Sequence, residues 1–198
     1  MDFIELRRAV IKKDFGNMND MQFKAVTTVK GPLLVLAGAG SGKTTVLVNR
    51  IANMVKYGNA YNSAFVPNVS DAAVKTGEDF LDGKTDSVPD GVFGVDVVRP
   101  WEILAITFTN KAAGELKERI AKKLGERADD IWAGTFHSVC GKILRRNAAV
   151  LGFTSHFTIY DTDDQRRLMK EIMKQNRIDD KLLPHKSVLS AISSAKDM

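Results

Sequence analysis

The sequence predicts an α/β fold built on a parallel sheet, with a helical segment after it. Three observations carry this. Short continuous apolar runs occur at Leu33–Ala37, Ile103–Phe108 and Ile131–Thr135, and each leads into residues at helical spacing. A glycine-rich stretch separates the first run from its helix. After Thr162 the pattern is helical throughout. Unbroken apolar runs of this length suit strands buried on both faces. Strand alternating with helix implies parallel pairing through right-handed crossovers.

The elements follow in order. Residues 3–13 predict a short basic amphipathic helix ended near Gly16, and residues 19–29 a second helix capped by Asn19. Leu33–Ala37 predicts the first buried strand, and Val46, Leu47, Ile51, Met54 and Val55 the helix after it. Residues 58–100 then break the pattern. They hold five of the 15 glycines and three of the five prolines. A loop this long inside a domain is uncommon, so the segment is expected to be an inserted loop. Pro89-Asp90-Gly91 signals a turn within it, and Val92–Val98 a short strand. Ile103–Phe108 is the second buried run, followed by a helix marked by Leu116, Ile120 and Leu124 with Asn110 as its cap. Ile131–Thr135 predicts a third strand. Val139, Ile143, Leu144 and Leu151 mark a helix ending at Gly152. Thr162 and Gln165 suggest a capping box for the next helix, whose stripe is Leu168, Met169, Ile172 and Met173. A last helix is expected near Ser187–Lys196. The change of character near residue 157 divides the chain into 1–156 and 157–198.

The chain has 198 residues and a net charge of +5. Residues 61–97 carry a net −5, so the rest carries +10. A basic body with one acidic segment points towards polyanion partners. The single cysteine, Cys140, excludes an internal disulfide and fits a reducing cytoplasm. The longest apolar run, Pro32–Ala37, is far short of the roughly 20 residues of a membrane span. The start of the chain has no signal-peptide pattern.

Gly38-Ala39-Gly40-Ser41-Gly42-Lys43-Thr44 is the strongest chemical signal. Polyphosphate binding needs backbone donors at close range, which glycine allows. The helix that follows aims its first amides at the anion. Lys43 would reach the terminal phosphates and Thr44 would hold Mg²⁺. Ala37 stands where the usual pattern has its first glycine. The alternative is a plain glycine turn with a surface lysine. Hydrolysis also needs a carboxylate for the metal, and only Asp161 and Asp96 follow anything strand-like. Neither follows a convincing apolar strand, and Asp161 suits a helix cap. A complete small phosphate-loop kinase or NTPase using Asp161 or Asp96, and a non-catalytic single-strand DNA-binding module, are the alternative functions.

Four ordered stretches carry a family resemblance. They are Met18–Gln22, Leu36–Thr44, Ala105–Ala113 and Gly134–Ser138. Phe157–Asp161, with Asp164-Gln165 and Leu168–Lys170, extends it. In these the chain resembles the amino-terminal part of a UvrD/Rep/PcrA-type helicase of superfamily 1, over nearly all its length except residues 58–100. The resemblance implies a partial RecA-like ATP-binding motor domain over 1–156 and the start of a helical inserted subdomain over 157–198.

It also implies roles. Gln22 would read the adenine edge, where an amide can donate and accept at once. It can also close a capping box with Asn19. ATP and Mg²⁺ would sit against Ala37, Gly38, Ala39, Gly40, Ser41, Gly42, Lys43, Thr44 and Thr45, with Thr45 standing where relatives usually carry arginine. Thr107, Phe108, Thr109, Asn110 and Lys111 resemble a single-strand DNA motif at a strand end. There Phe108 offers a stacking face, Thr109 and Asn110 polar contacts, and Lys111 a charge. Thr135, Phe136 and His137 resemble a second such motif. Without the resemblance, Phe108 would be assigned to the core, Asn110 to a cap and His137 to the surface.

The family's Asp-Glu pair, arginine finger and second motor domain lie downstream of the inserted subdomain, and no Asp-Glu pair occurs here. The resemblance therefore implies an amino-terminal fragment that binds nucleotide with little hydrolysis and no unwinding. Its parent would be a monomeric cytoplasmic helicase. It would move 3′ to 5′ on single-stranded DNA and act at duplex junctions in repair or replication restart.

Overall fold

The computed structural model describes residues 1–38, 40–89 and 91–197. The chain forms two compact units, Met1–Lys142 and Ile143–Met198. Among the described residues six α-helices and two strands begin within the first. Helix α1 (Phe3–Asp14) starts at a capping box in which the Asp2 carboxylate accepts from the Glu5 amide at 2.8 Å and the Glu5 side chain accepts from the Asp2 amide at 3.1 Å. Helix α2 (Asp20–Thr27) starts at the matching box of Asn19 and Gln22, as the sequence predicts. Helix α3 (Lys43–Lys56) follows the glycine loop and buries Val46, Val48, Ile51, Ala52, Asn53 and Val55.

The segment expected to be a loop is largely structured. Helix α4 (Asp71–Leu81) lies within residues 58–100, capped by Ser70. It packs on α1, and Phe80, Phe93, Tyr57 and Ala60 join the core. Gly77 hid this helix from periodicity, because it lies on the buried face where a side chain would register. The strand expected over 92–98 does not form; one isolated parallel bridge joins Gly58 to Val95. Asp90 of the expected turn lies outside the described residues.

The sheet among the described residues has two strands, β1 (Leu104–Thr107) and β2 (Trp132–Thr135). They pair in parallel, with Leu104 opposite Trp132 and Thr107 opposite Thr135. Helix α5 (Asn110–Leu124) is the crossover and buries Ala113, Leu116, Ile120 and Leu124. Its cap is Thr109, whose hydroxyl accepts from the Ala112 amide at 3.2 Å, and not Asn110, which is already helical. The expected first strand is the main difference. Residues 33–37 join no ladder, and Leu34 and Leu36 are more than four-fifths exposed. A buried parallel strand needs a neighbour on its edge, and among the described residues β1 and β2 pair only with each other. Apolar sequence alone cannot supply that partner.

Helix α6 (Phe136–Arg146) follows β2 directly and leads into a 3-10 turn over Ala148–Leu151, closed by Gly152 at φ +75°. In the second unit the Arg145 guanidinium donates to the carbonyl oxygens of Ser155 and Phe157, at 2.9 and 3.3 Å, and lies over the Phe157 ring. Helix α7 (Thr162–Gln175) is capped by Asp161 with Asp164, one residue earlier than the expected Thr162–Gln165 pair. Asp161 accepts from the Asp163 and Asp164 amides, both at 2.8 Å. A carboxylate there satisfies two helix-start amides, and a cap at Thr162 would be one residue out of register with them. Helix α8 (His185–Lys196) packs on α7.

Candidate nucleotide and DNA site

The glycine loop turns sharply into α3. Gly40 and Gly42 have φ of +75° and +82°, values that L side chains rarely adopt. Gly42 caps α3 with no side-chain bond, so the first amides of the helix stay open to a ligand. The Lys43 ammonium donates to the Gly38 carbonyl at 2.6 Å and to the Ala37 carbonyl at 3.2 Å. The Ser41 hydroxyl donates to the same Gly38 carbonyl at 2.8 Å. Thr44 and Thr45 are exposed, and Ala39 lies outside the described residues.

Gln22 reaches this loop from α2. Its side-chain nitrogen donates to the Ser41 carbonyl at 3.1 Å. A cleft of about 580 Å³ opens between α2, residues 33–38 and the start of α3, bordered by Gln22, Lys24, Ser41 and Lys43. The expected adenine reader and the expected phosphate lysine thus share one cleft. Thr45 faces elsewhere, onto a shallow groove with Arg119, Lys122 and Lys123. An arginine at position 45 would add a fourth cation to that groove.

Three residues that carried no motif hold α2 in place. Arg50 donates to the Ala25 and Thr28 carbonyls at the end of the helix. Asn53, fully buried, donates to the carbonyls of Val26 and Gly58 at 3.3 and 3.2 Å. Asn62 donates to the Thr27 carbonyl at 2.8 Å. The bonds to residues 25–28 span 22 to 35 residues in sequence, so no local pattern announces them.

The two stretches expected to touch DNA lie at one edge. Thr107–Lys111 leaves the carboxyl end of β1 and Thr135–His137 the carboxyl end of β2, and Thr107 sits opposite Thr135 in register. Ligands of parallel sheets gather at that edge. Phe108 is 97% exposed and belongs to no core. Phe136 is also exposed and meets His137 edge-on, ring centroids 6.2 Å apart. Asn110, Lys111 and His137 are exposed. Thr107 donates to the Thr109 carbonyl at 3.2 Å. The Ser138 amide donates to the Thr135 hydroxyl at 3.2 Å, and the Ser138 hydroxyl to the Thr135 carbonyl at 2.9 Å. Gly134 makes room for this turn: a Cβ there would lie 2.6 Å from the Ser138 hydroxyl oxygen.

The two carboxylates considered for a metal are engaged elsewhere. Asp96 pairs with Lys30 at 2.9 Å. Asp161 caps α7, and the amides of Asp164 and then Asp163 hold its carboxyl below the usual carboxylate range. Among the described residues no group of three His, Cys, Asp or Glu side chains is arranged to hold a metal. An Mg²⁺ ion here would depend on ligand phosphates and Thr44.

Parallel strands with their crossover helix, and a Gly-Lys-Thr loop opening another helix, place the chain among α/β proteins. The chain belongs to the UvrD/REP helicase N-terminal domain family, whose model matches residues 18–66 and 92–198. It is similar to the ATP-dependent DNA helicase PcrA of Bacillus subtilis (strain 168), 42% identical over 182 residues, which cover 92% of this chain and 20% of that protein. The protein of the same name in Staphylococcus aureus (strain Mu50 / ATCC 700699) is 40% identical over 182 residues, with the same coverage. That of Staphylococcus epidermidis (strain ATCC 35984) is 41% identical over 181 residues, covering 91% of this chain and 20% of the relative. The chain therefore spans about a fifth of the length of these relatives.

Proposed function

We propose that this chain is the ATP-binding and DNA-contacting amino-terminal part of a DNA helicase or translocase. The observation that carries the proposal is the convergence of Gln22 and Lys43 on one glycine loop at the start of α3. Residues 1–156 form part of a RecA-like motor domain, and residues 157–198 begin a helical inserted subdomain. Gln22 reads adenine. The amides of Gly38–Thr45 cradle the phosphates with Lys43, and Thr44 holds Mg²⁺, which neutralises phosphate charge when bound. Thr107–Lys111 and Thr135–His137 form a single-strand DNA track, with Phe108 as a stacking face. The whole protein moves 3′ to 5′ on single-stranded DNA and meets duplex junctions during repair or replication restart. It acts as a cytoplasmic monomer.

For these 198 residues the expected activity is narrower. No Asp-Glu pair is present to position metal and water, so nucleotide binds without appreciable turnover. The test is ATP binding and hydrolysis by this chain, with and without single-stranded DNA, beside Lys43→Ala. Lys43-dependent binding without turnover is expected. Robust Lys43-dependent turnover would show that a catalytic carboxylate lies within the chain, and no Lys43-dependent binding would end the nucleotide assignment.

A further inference from the structure

The Gln22 side chain makes two bonds. Its oxygen accepts from the Asn19 amide at 3.2 Å, and its nitrogen donates to the Ser41 carbonyl at 3.1 Å. A side-chain amide has two N–H donors and an oxygen with two lone pairs, so one of each is left for a ligand. Where that pair stands relative to the glycine loop depends on where α2 stands.

Arg50 holds the far end of α2. It lies on α3, about two turns beyond Lys43. Its Nη1 donates to the Ala25 carbonyl at 2.7 Å and to the Thr28 carbonyl. Thr28 closes α2. The last carbonyls of a helix lack partners within it and form the negative end of its dipole, so a cation there satisfies them in both respects. Burial lowers the Arg50 pKa from its usual value, and a cation taken partly out of water calls for such bonds. Asn53, about one turn further along α3, is fully buried and donates to the Val26 carbonyl at 3.3 Å. One helix therefore carries the phosphate lysine at its start and the anchor of the base reader further on.

We propose that Arg50 determines the preference of this site for a base: by fixing the end of α2, it holds Gln22 at the distance from the phosphate loop that a nucleotide spans. This rests on the nucleotide-site assignment above and names the group that sets its selectivity. Arg50 does not line the cleft, so it is a positioning residue that acts through α2. Lys43 and the first amides of α3 belong to the helix that carries Arg50, so their geometry does not depend on α2. Loss of Arg50 thus costs base binding and spares phosphate binding. A hydrogen bond to a charged group carries about a tenfold factor.

The experiment measures dissociation constants for Mg·ATP and for Mg·tripolyphosphate by calorimetry. It compares wild type with Arg50→Met, Arg50→Lys, Gln22→Ala and the double variant Arg50→Met/Gln22→Ala, with Lys43→Ala as the control. Arg50→Met keeps an apolar stem without donors. It should bind ATP about tenfold more weakly and tripolyphosphate as wild type does. Arg50→Lys should recover most of the loss, because an ammonium can donate to both carbonyls. The double variant should bind ATP no more weakly than Gln22→Ala, since the two residues act as one unit. Unchanged ATP affinity in Arg50→Met, equal losses on both ligands, or losses that add in the double variant overturn the proposal. If Arg50→Met does not fold, Asn62→Ala decides. Asn62 is exposed, and it ties the same end of α2 through the Thr27 carbonyl at 2.8 Å. Its loss should weaken ATP alone; an effect on neither ligand, or on both, overturns the proposal. If Gln22→Ala binds ATP as wild type does, or wild type binds neither ligand in a Lys43-dependent way, the nucleotide-site assignment itself fails, and the proposal with it.

Discussion

Phe108 has almost no protein contact, at 97% exposure, yet it stands at the carboxyl end of β1 beside Lys111. An aromatic ring so exposed contributes little to folding. A base stacked on it is worth about 1–3 kcal/mol. Phe108→Ala should therefore weaken single-stranded DNA binding by that amount and leave the melting temperature unchanged. Fluorescence anisotropy with a labelled oligonucleotide, beside a thermal melt, checks both. The salt dependence of binding should stay as in wild type, because stacking releases no counterions. Phe108 also marks a limit of sequence reading at this scale. Its apolar type suggests core, and only its place past the last ladder position turns it outward. Gln22 was legible as the partner of Asn19, whereas its bond to Ser41, 19 residues away, was not.

At the scale of elements, α4 shows what hydrophobic periodicity misses. The family model passes over residues 67–91 and begins at residue 18, and the structure packs the two unmatched pieces together. Helix α4 lies on α1, the Lys13 ammonium donates to the Phe80 and Leu81 carbonyls, and Phe3 stacks on Phe93 at 5.6 Å. Gly77 is the contact point. A Cβ there would meet the Phe93 ring at 2.6 Å and Leu6 at 3.3 Å. Phe93 is buried and held by Phe3, so it has little room to give. Gly77→Val should destabilise the chain by about 1–3 kcal/mol through overpacking, as measured by urea unfolding. A result within 0.5 kcal/mol, the range of an ordinary surface change, would show that α4 is not held against α1. The glycines, prolines and length of the segment predicted an inserted loop, but composition does not report the contacts with α1 that order it.

At the scale of the molecule, Asp14 joins the ends of three helices. It closes α1, accepts from Lys56 and Tyr57 at the end of α3, both at 2.9 Å, and faces Lys123 of α5 at 3.7 Å. Burial alone would raise its carboxyl pKa. The hydrogen bonds and charges of Lys56, Tyr57 and Lys123 outweigh that and hold it below the usual range. A lowered folded pKa contributes stability above the unfolded value of about 3.9, and the contribution fades as pH falls through the folded value. Asp14→Asn should therefore cost about 2 kcal/mol at neutral pH. The gap between variant and wild type should close below about pH 4. Chemical unfolding across pH 3–7 tests this. A gap that stays constant with pH would mean that packing, not charge, explains the loss.

By itself the sequence determined the local and chemical facts about this protein. It determined the alternation of strand and helix from β1 onward, the Asn19–Gln22 box, the glycine loop before α3 and the family. These depend on neighbouring residues and on side-chain type, which are written in order along the chain. Tertiary structure alone decided which partners meet. It placed α4 on α1, turned Phe108 outward, left residues 33–37 without a ladder, tied Gln22 to Ser41 and gathered Asp14 with three helix ends. Each of these rests on contacts between residues distant in sequence, or on the want of one. A hydrogen-bonded strand and a buried helix face exist only where another segment supplies the second half.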